Sequence, residues 1–253
     1  MSLLKKIKSK LPIIKEQIGI HTYFIFGNKN AYRNILSENS TSFKRSYSLD
    51  GEDMLLISLY EEQPNYKGFY VDIGAHDPIR FSNTQYFYEK GWRGINIDAT
   101  PGSMKRFNIF RPEDINLECA VSDKNEELIY YCFEESALNS FNALVAERRI
   151  ENGWELKEKI AVHSQSINSI LETNLPQSQF IDFINIDVEG MELKILRLLD
   201  FQKYAPKYFL IEDLENVDIN IDEIKSEIVN FMKSKKYYPM LKCRRTIIYA
   251  REI

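Results

Sequence analysis

Four acidic residues close short apolar runs: Asp72 in FYVDI, Asp98 in GINID, Asp187 in DFINID and Glu212 in KYFLIE. One acid in such a place can simply cap the next helix. Four in corresponding places suggest a polar rim around a ligand. Between the first two lies VDIGAHDPIRFSNT, in which Gly74 permits close backbone approach and Ser82, Asn83 and Thr84 offer hydroxyl and amide groups at a helix start. Asp98 stands where α/β proteins hold the two hydroxyls of a ribose. Neither GxGxxG nor GxxxxGK(S/T) occurs, so no pyrophosphate or Walker-type cradle is indicated. A ribose-bearing ligand without a pyrophosphate remains. S-adenosylmethionine fits, because its ribose needs an acid, its ammonium needs carboxylates and its carboxylate needs hydroxyl or backbone donors; a nicotinamide-dependent enzyme stays open as the alternative.

These residues need elements to hold them. FYVDI (69–73), GINID (94–98), INLEC (115–119), DFINID (182–187) and KYFLIE (207–212) read as strands. Residues 83–91, 101–107 and 190–200 between them have helical spacing, as does GEDMLLISLYEEQ (51–63). Strands alternating with helices imply a mostly parallel, doubly wound sheet. After a helix near 222–235, YYPML (237–241) and TIIYA (246–250) read as an antiparallel pair at the sheet edge. The stretch 124–170 is less legible: ELIYYCF suggests a strand, and the remainder mixes helix and loop over the top of the sheet. Tyr86, Phe87, Tyr88 and Trp92 read as core, whereas Tyr130, Tyr131 and Phe133 are candidates to stack on a ligand.

The chain has 253 residues, 44% hydrophobic and 28% charged, which suits one globular domain with a short appendage and excludes low-complexity and collagen-like classes. The net charge of −4 argues against a nucleic-acid-binding surface. That charge is unevenly shared: residues 1–48 hold nine Lys/Arg and two acids, a surplus of +7, leaving −11 for the rest. We expect residues 1–48 to form a basic helical extension and 49–253 the main domain. The basic start is interrupted by Pro12, Lys15 and Glu16, which is unlike a secretory leader, and no run approaches a membrane span, so a cytoplasmic location is expected. Cys119, Cys132 and Cys243 form no CxxC pair and read as reduced thiols.

In order, the segments SLDGEDMLL, GFYVDIGAHDPIRFSNTQYFYEKGWRGINIDATP, ECAVSD, and FINIDVEGMELKIL followed by FLIE resemble the FkbM family of S-adenosylmethionine-dependent methyltransferases over about residues 48–213. The resemblance implies a seven-stranded sheet with one reversed strand. It further implies that Asp72, Gly74, Ser82, Asn83 and Thr84 surround the methionine end of the cofactor, that Asp98 holds the ribose with Ala99 beside it, that Ala120, Val121 and Ser122 border the adenine, and that Asp187 approaches the sulfonium. His76-Asp77-Pro78 replaces the glycine-richer turn of the simplest nucleotide loop.

An alcohol acceptor must lose a proton as its new bond forms, so a base or a divalent cation is needed. Asp187, Glu189 and His76 are the candidate catalytic groups, and His163 reads as an ordinary surface histidine. Asp187, Glu212 and Asp213 make an all-oxygen set suited to Mg²⁺ or Mn²⁺; the competing view has Asp187 on the cofactor and the other two as caps. The expected activity is O-methylation of a small polar acceptor, a sugar or nucleotide-linked sugar for a surface (capsular) polysaccharide. N- or carboxyl-methylation and non-catalytic cofactor binding are the rivals, and a homo-oligomer is left open.

Overall fold

The computed structural model describes residues 44–214 and 226–252. The expected helical extension over 1–48 lies almost wholly outside the described residues, as does the start of the helix expected near 222. The described chain runs α1 (Glu52–Ser58), β1 (Phe69–Ile73), α2 (Gln85–Glu89), β2 (Arg93–Asp98), α3 (Ser103–Phe110), β3 (Ile115–Glu118), β4 (Ala120–Ser122) and β5 (Glu127–Phe133). A 3₁₀ turn (Ser136–Leu138) leads to α4 (Ala143–Glu151), β6 (Leu156–Ser166), α5 (Ile167–Asn174), β7 (Phe183–Ile186) and α6 (Glu192–Leu198). The chain then continues through β8 (Tyr208–Glu212), α7 (Glu227–Ser234), β9 (Tyr237–Cys243) and β10 (Thr246–Arg251).

Seven strands form one sheet in the order β3-β2-β1-β7-β8-β10-β9. The pairs β1–β2, β1–β7, β2–β3 and β7–β8 are parallel, while β10 runs antiparallel to both neighbours. The C-terminal pair is therefore antiparallel as expected, but β10 sits inside the sheet and only β9 is at its edge. β1, β7 and β8 are buried at every residue, which is why they read as unbroken apolar runs rather than as alternation.

The sheet is covered on both faces. One apolar cluster sets Val71, Ile95, Ile184, Phe209 and Ile247 against Leu171, Ile195, Leu196 and Met232 of the helices. The other gathers Tyr70, Phe183, Leu210 and Ile248 with Leu56, Tyr60, Phe87 and Trp92. Phe87 and Trp92 are core, as expected, and the Trp92 indole donates to the Tyr66 carbonyl at 3.1 Å. A second, three-stranded sheet, β4-β6-β5, accounts for the illegible stretch. β6 hid in the sequence because its burial is sparse: of eleven residues only Ser164 is fully buried, so no apolar run announces it. All three cysteines are free thiols. Among the described residues no helix is long and apolar enough to cross a membrane.

Candidate active site

Parallel strands deliver their last residues to one edge. The tips of β2, β1, β7 and β8 carry Asp98, Asp72, Asp187 and Glu212 in that spatial order, across three interstrand spacings of roughly 14 Å in all. All four line one cavity of about 350 Å³. Gly74 at the β1 tip has φ +85°, and a Cβ there would lie 1.7 Å from the Asp187 carbonyl oxygen. Only glycine lets the first loop come this close to the β7 tip.

At the β2 tip, Asp98 accepts the backbone N–H of His76 at 2.9 Å and that of Thr100 at 2.8 Å. One bond goes to each oxygen, so a lone pair on each is left for a diol. Beside it the cavity wall is largely apolar, with Ile97, Ala99, Cys119, Ala120, Val121, Tyr130, Leu138 and Phe141. A flat heteroaromatic ring fits such a wall. Ser122, expected there, does not line the cavity: its hydroxyl donates to Asp123 at 2.9 Å.

At the β1 tip, Asp72 receives Thr84 Oγ1 at 2.7 Å and Asn185 Nδ2 at 2.9 Å, and Asn83 Nδ2 donates to Asn185 Oδ1 at 3.0 Å. Burial pushes the Asp72 carboxyl up, against the pull of Thr84, the Arg111 charge and Asn185. Ser82 and Asn83 line the cavity with Asp72, but Thr84 does not; it stands behind the acid and holds it. Arg111, which the sequence reading missed, is fully buried beneath them. Its Nε donates to Asp114 at 2.9 Å, Nη1 to Thr84 at 3.0 Å, and Nη2 to Tyr70, Thr84 and Asn96 at 2.7, 3.0 and 2.9 Å.

The first loop is braced by Asp77, whose Oδ1 accepts the N–H groups of Ile79 and Arg80, each at 2.9 Å, and whose other oxygen pairs with Arg106 at 2.5 Å. His76, with φ 55°, faces the cavity, and burial lowers its imidazole pKa. Arg80 spans to Glu135 through two bonds of 3.0 and 2.9 Å, tying this loop to the segment after β5. Tyr130 reaches the cavity; Tyr131 and Phe133 do not. His163 is exposed on β6, a strand that contributes no residue to the cavity lining.

The acids at the β7 and β8 tips form a cluster. Single ligand oxygens of Asp187, Glu189 and Glu212 all lie within 4.8 Å of one another. Glu189 sits at φ 53° and is paired with Arg149, and Arg245 lies 3.5 Å from Glu212 Oε1. Burial, reinforced by Glu189 and Glu192, pushes Asp187 up to about 8; burial also raises Glu189, takes Glu192 up to about 7 and holds Glu212 well above the carboxylate range. Asp213, expected among these acids, is not in the group and does not line the cavity. It follows Glu212 in an extended chain, where consecutive side chains point to opposite faces, and its N–H is bonded to the Arg245 carbonyl at 2.7 Å. Glu189 takes that place, carried inward by the tight DVEG turn.

The Methyltransferase FkbM domain model matches residues 72–238, well over half of the chain. No curated protein sequence matches it. Among solved structures, a methyltransferase FkbM from Methylobacillus flagellatus is 12% identical with a TM-score of 0.40, over 74% of this chain and 44% of that one. The present chain thus spans less than half the length of that protein. A putative caffeoyl-CoA O-methyltransferase from Staphylococcus aureus is 11% identical at TM-score 0.42, covering 98% of this chain and 100% of the other. The Burkholderia thailandensis 1,6-didemethyltoxoflavin-N1-methyltransferase, solved with its substrate and S-adenosylhomocysteine, is 10% identical at 0.39, over 81% and 80%. With the family match resting on the very segments that carry the strand-tip acids, the chain belongs to the FkbM family of S-adenosylmethionine-dependent methyltransferases.

Proposed function

We propose that this methyltransferase moves a methyl group from S-adenosylmethionine to a hydroxyl of a small polar acceptor, with Asp98 on the ribose and Asp187 at the acceptor oxygen. The observation that carries the reading is the row of acids along one cavity, Asp98 against an apolar wall at one side and the Asp187 cluster two strands away. When bound, the cofactor supplies a methyl already activated on a sulfonium. The residues of this chain then have three tasks. Asp98, with a free lone pair on each oxygen, accepts from the diol. Asp72, held by Thr84 and Asn185, faces the ammonium. Asp187 accepts the hydroxyl proton of the acceptor, which aims the oxygen lone pair and removes the proton as the bond forms.

A sugar is the acceptor class we favour. Carboxylates accept hydroxyl donors well, and Glu52, Asp187, Glu189 and Glu212 all line the cavity. Arg80 and Arg245, which also line the cavity, offer guanidinium groups to a phosphate, which extends the proposal to a nucleotide-linked sugar.

Labelled S-adenosylmethionine incubated with a panel of sugars and nucleotide sugars tests this. Label should pass to an acceptor hydroxyl. Asp187→Asn should cut turnover by about 10²–10⁴-fold, the range of a lost general base, while S-adenosylhomocysteine binds as before. Asp98→Ala should do the reverse, weakening S-adenosylhomocysteine in calorimetry. Unchanged affinity in Asp98→Ala, or unchanged turnover in Asp187→Asn, removes the corresponding role.

A further inference from the structure

Carboxyl groups crowded together inside a protein hold either a proton or a cation between them. The oxygens of Asp187, Glu189 and Glu212 are mutually within 4.8 Å, and a point equidistant from three atoms so spaced lies at most about 2.8 Å from each. A contraction of a few tenths of an ångström brings that centre to the roughly 2.1–2.6 Å of oxygen-bound divalent ions. Independently, Glu212 Oε2 is buried and receives no N–H or hydroxyl donor, although Glu212 is only 4% exposed and lines the cavity. An acceptor oxygen left bare in such a place costs about 1–3 kcal/mol, more for a charged group.

We propose that Asp187, Glu189 and Glu212 bind one divalent, oxygen-seeking cation such as Mg²⁺ or Mn²⁺ at the tips of β7 and β8. The set is all-oxygen and anionic, with no thiol or imidazole, which selects hard ions over zinc or copper. The ion would face the cavity and draw an acceptor oxygen toward Asp187, acidifying its hydroxyl. Only that last role rests on the O-methyltransfer reading; cation binding itself does not. The competing arrangement is a proton shared between Asp187 and Glu212, which are within hydrogen-bonding reach of each other.

Mn²⁺ titrated into the chelator-treated full chain, followed by the electron paramagnetic resonance of the free hydrated ion, separates the two. Saturation at one ion per chain is expected, with displacement by Mg²⁺. Glu212→Gln should weaken it on the order of tenfold or more, and Glu189→Gln, the second variant should the first not fold, should do likewise. Glu172→Gln, an exposed acid paired with Lys203, should bind as the parent does. Absence of binding up to about 1 mM Mn²⁺, or equal binding by Glu212→Gln and Glu189→Gln, overturns the site. S-adenosylhomocysteine calorimetry on the same samples keeps the readings apart. Retained cofactor binding without Mn²⁺ uptake sinks the cation alone, whereas loss of cofactor binding by the parent sinks the methyltransfer proposal.

Discussion

Thr84 shows how a buried network fixes the direction of a single proton. Its hydroxyl oxygen has two lone pairs, and Arg111 Nη1 and Nη2 each donate to it at 3.0 Å. The hydroxyl hydrogen must therefore go to Asp72, 2.7 Å away. Arg111 holds Asp72 at one remove: a positioning residue, out of reach of the cavity. Thr84→Val should leave Asp72 with one donor fewer, cost about 1–3 kcal/mol in urea denaturation, and weaken S-adenosylhomocysteine in calorimetry. Thr84→Ser, which keeps the hydroxyl, should restore most of the affinity; a variant restored in stability but not in affinity would deny the link to the cofactor. Arg111→Met should be costlier, about 3–5 kcal/mol, because Asp114 and Asp72 lose the cation buried with them.

The turn after β7 is a construction of several elements. Ser140 Oγ donates to the Glu189 carbonyl at 2.7 Å, Asn142 Nδ2 to the Gly190 carbonyl at 3.2 Å, and Arg149 of α4 pairs with the Glu189 carboxylate. Asn142 Oδ1 meanwhile caps α4, accepting from Leu144 N at 3.0 Å and Val145 N at 3.3 Å. Asn142→Ala should cost about 0.5–2 kcal/mol of stability by loss of the cap. It should also lower turnover while S-adenosylhomocysteine affinity stays put, since Asp98 and Asp72 are untouched; a drop in both would show that the turn supports the cofactor too. At this scale the sequence is informative in one respect and silent in another. Central strands buried on both faces must be apolar throughout, so β1, β7 and β8 and the acids at their tips are visible as text. Glu189 replacing Asp213 is not, because the inward swing of a residue at φ 53° depends on Ser140, Asn142 and Arg149, between 40 and 49 positions earlier. Arg111 is invisible for the same reason: a lone arginine after an amphipathic helix looks like surface until Tyr70, Thr84, Asn96 and Asp114 are seen to converge on it.

Taken whole, the molecule places its chemistry and its bulkiest core side by side across one sheet. The strand tips carry the acids, while one face packs Trp92 edge-on to Tyr60 and Phe87, both with centroids 4.9 Å away. Trp92→Ala should cost about 3–5 kcal/mol, read from the urea midpoint, with no change in cofactor affinity per folded molecule. A loss below 1 kcal/mol would mean that this face relaxes around the hole.

The placement of β10 has a consequence for how the enzyme comes into being. Arg245 and Thr246 border the cavity, and the strand that follows them hydrogen-bonds to β8 on one flank and β9 on the other. A chain in which residues 246–251 have not yet docked presents β8 with an open flank, so the pocket wall at Glu212 is complete only once β10 has paired. Proteolytic trimming at that point would pull out an inner stave of the sheet, and loss of activity should track loss of the fold.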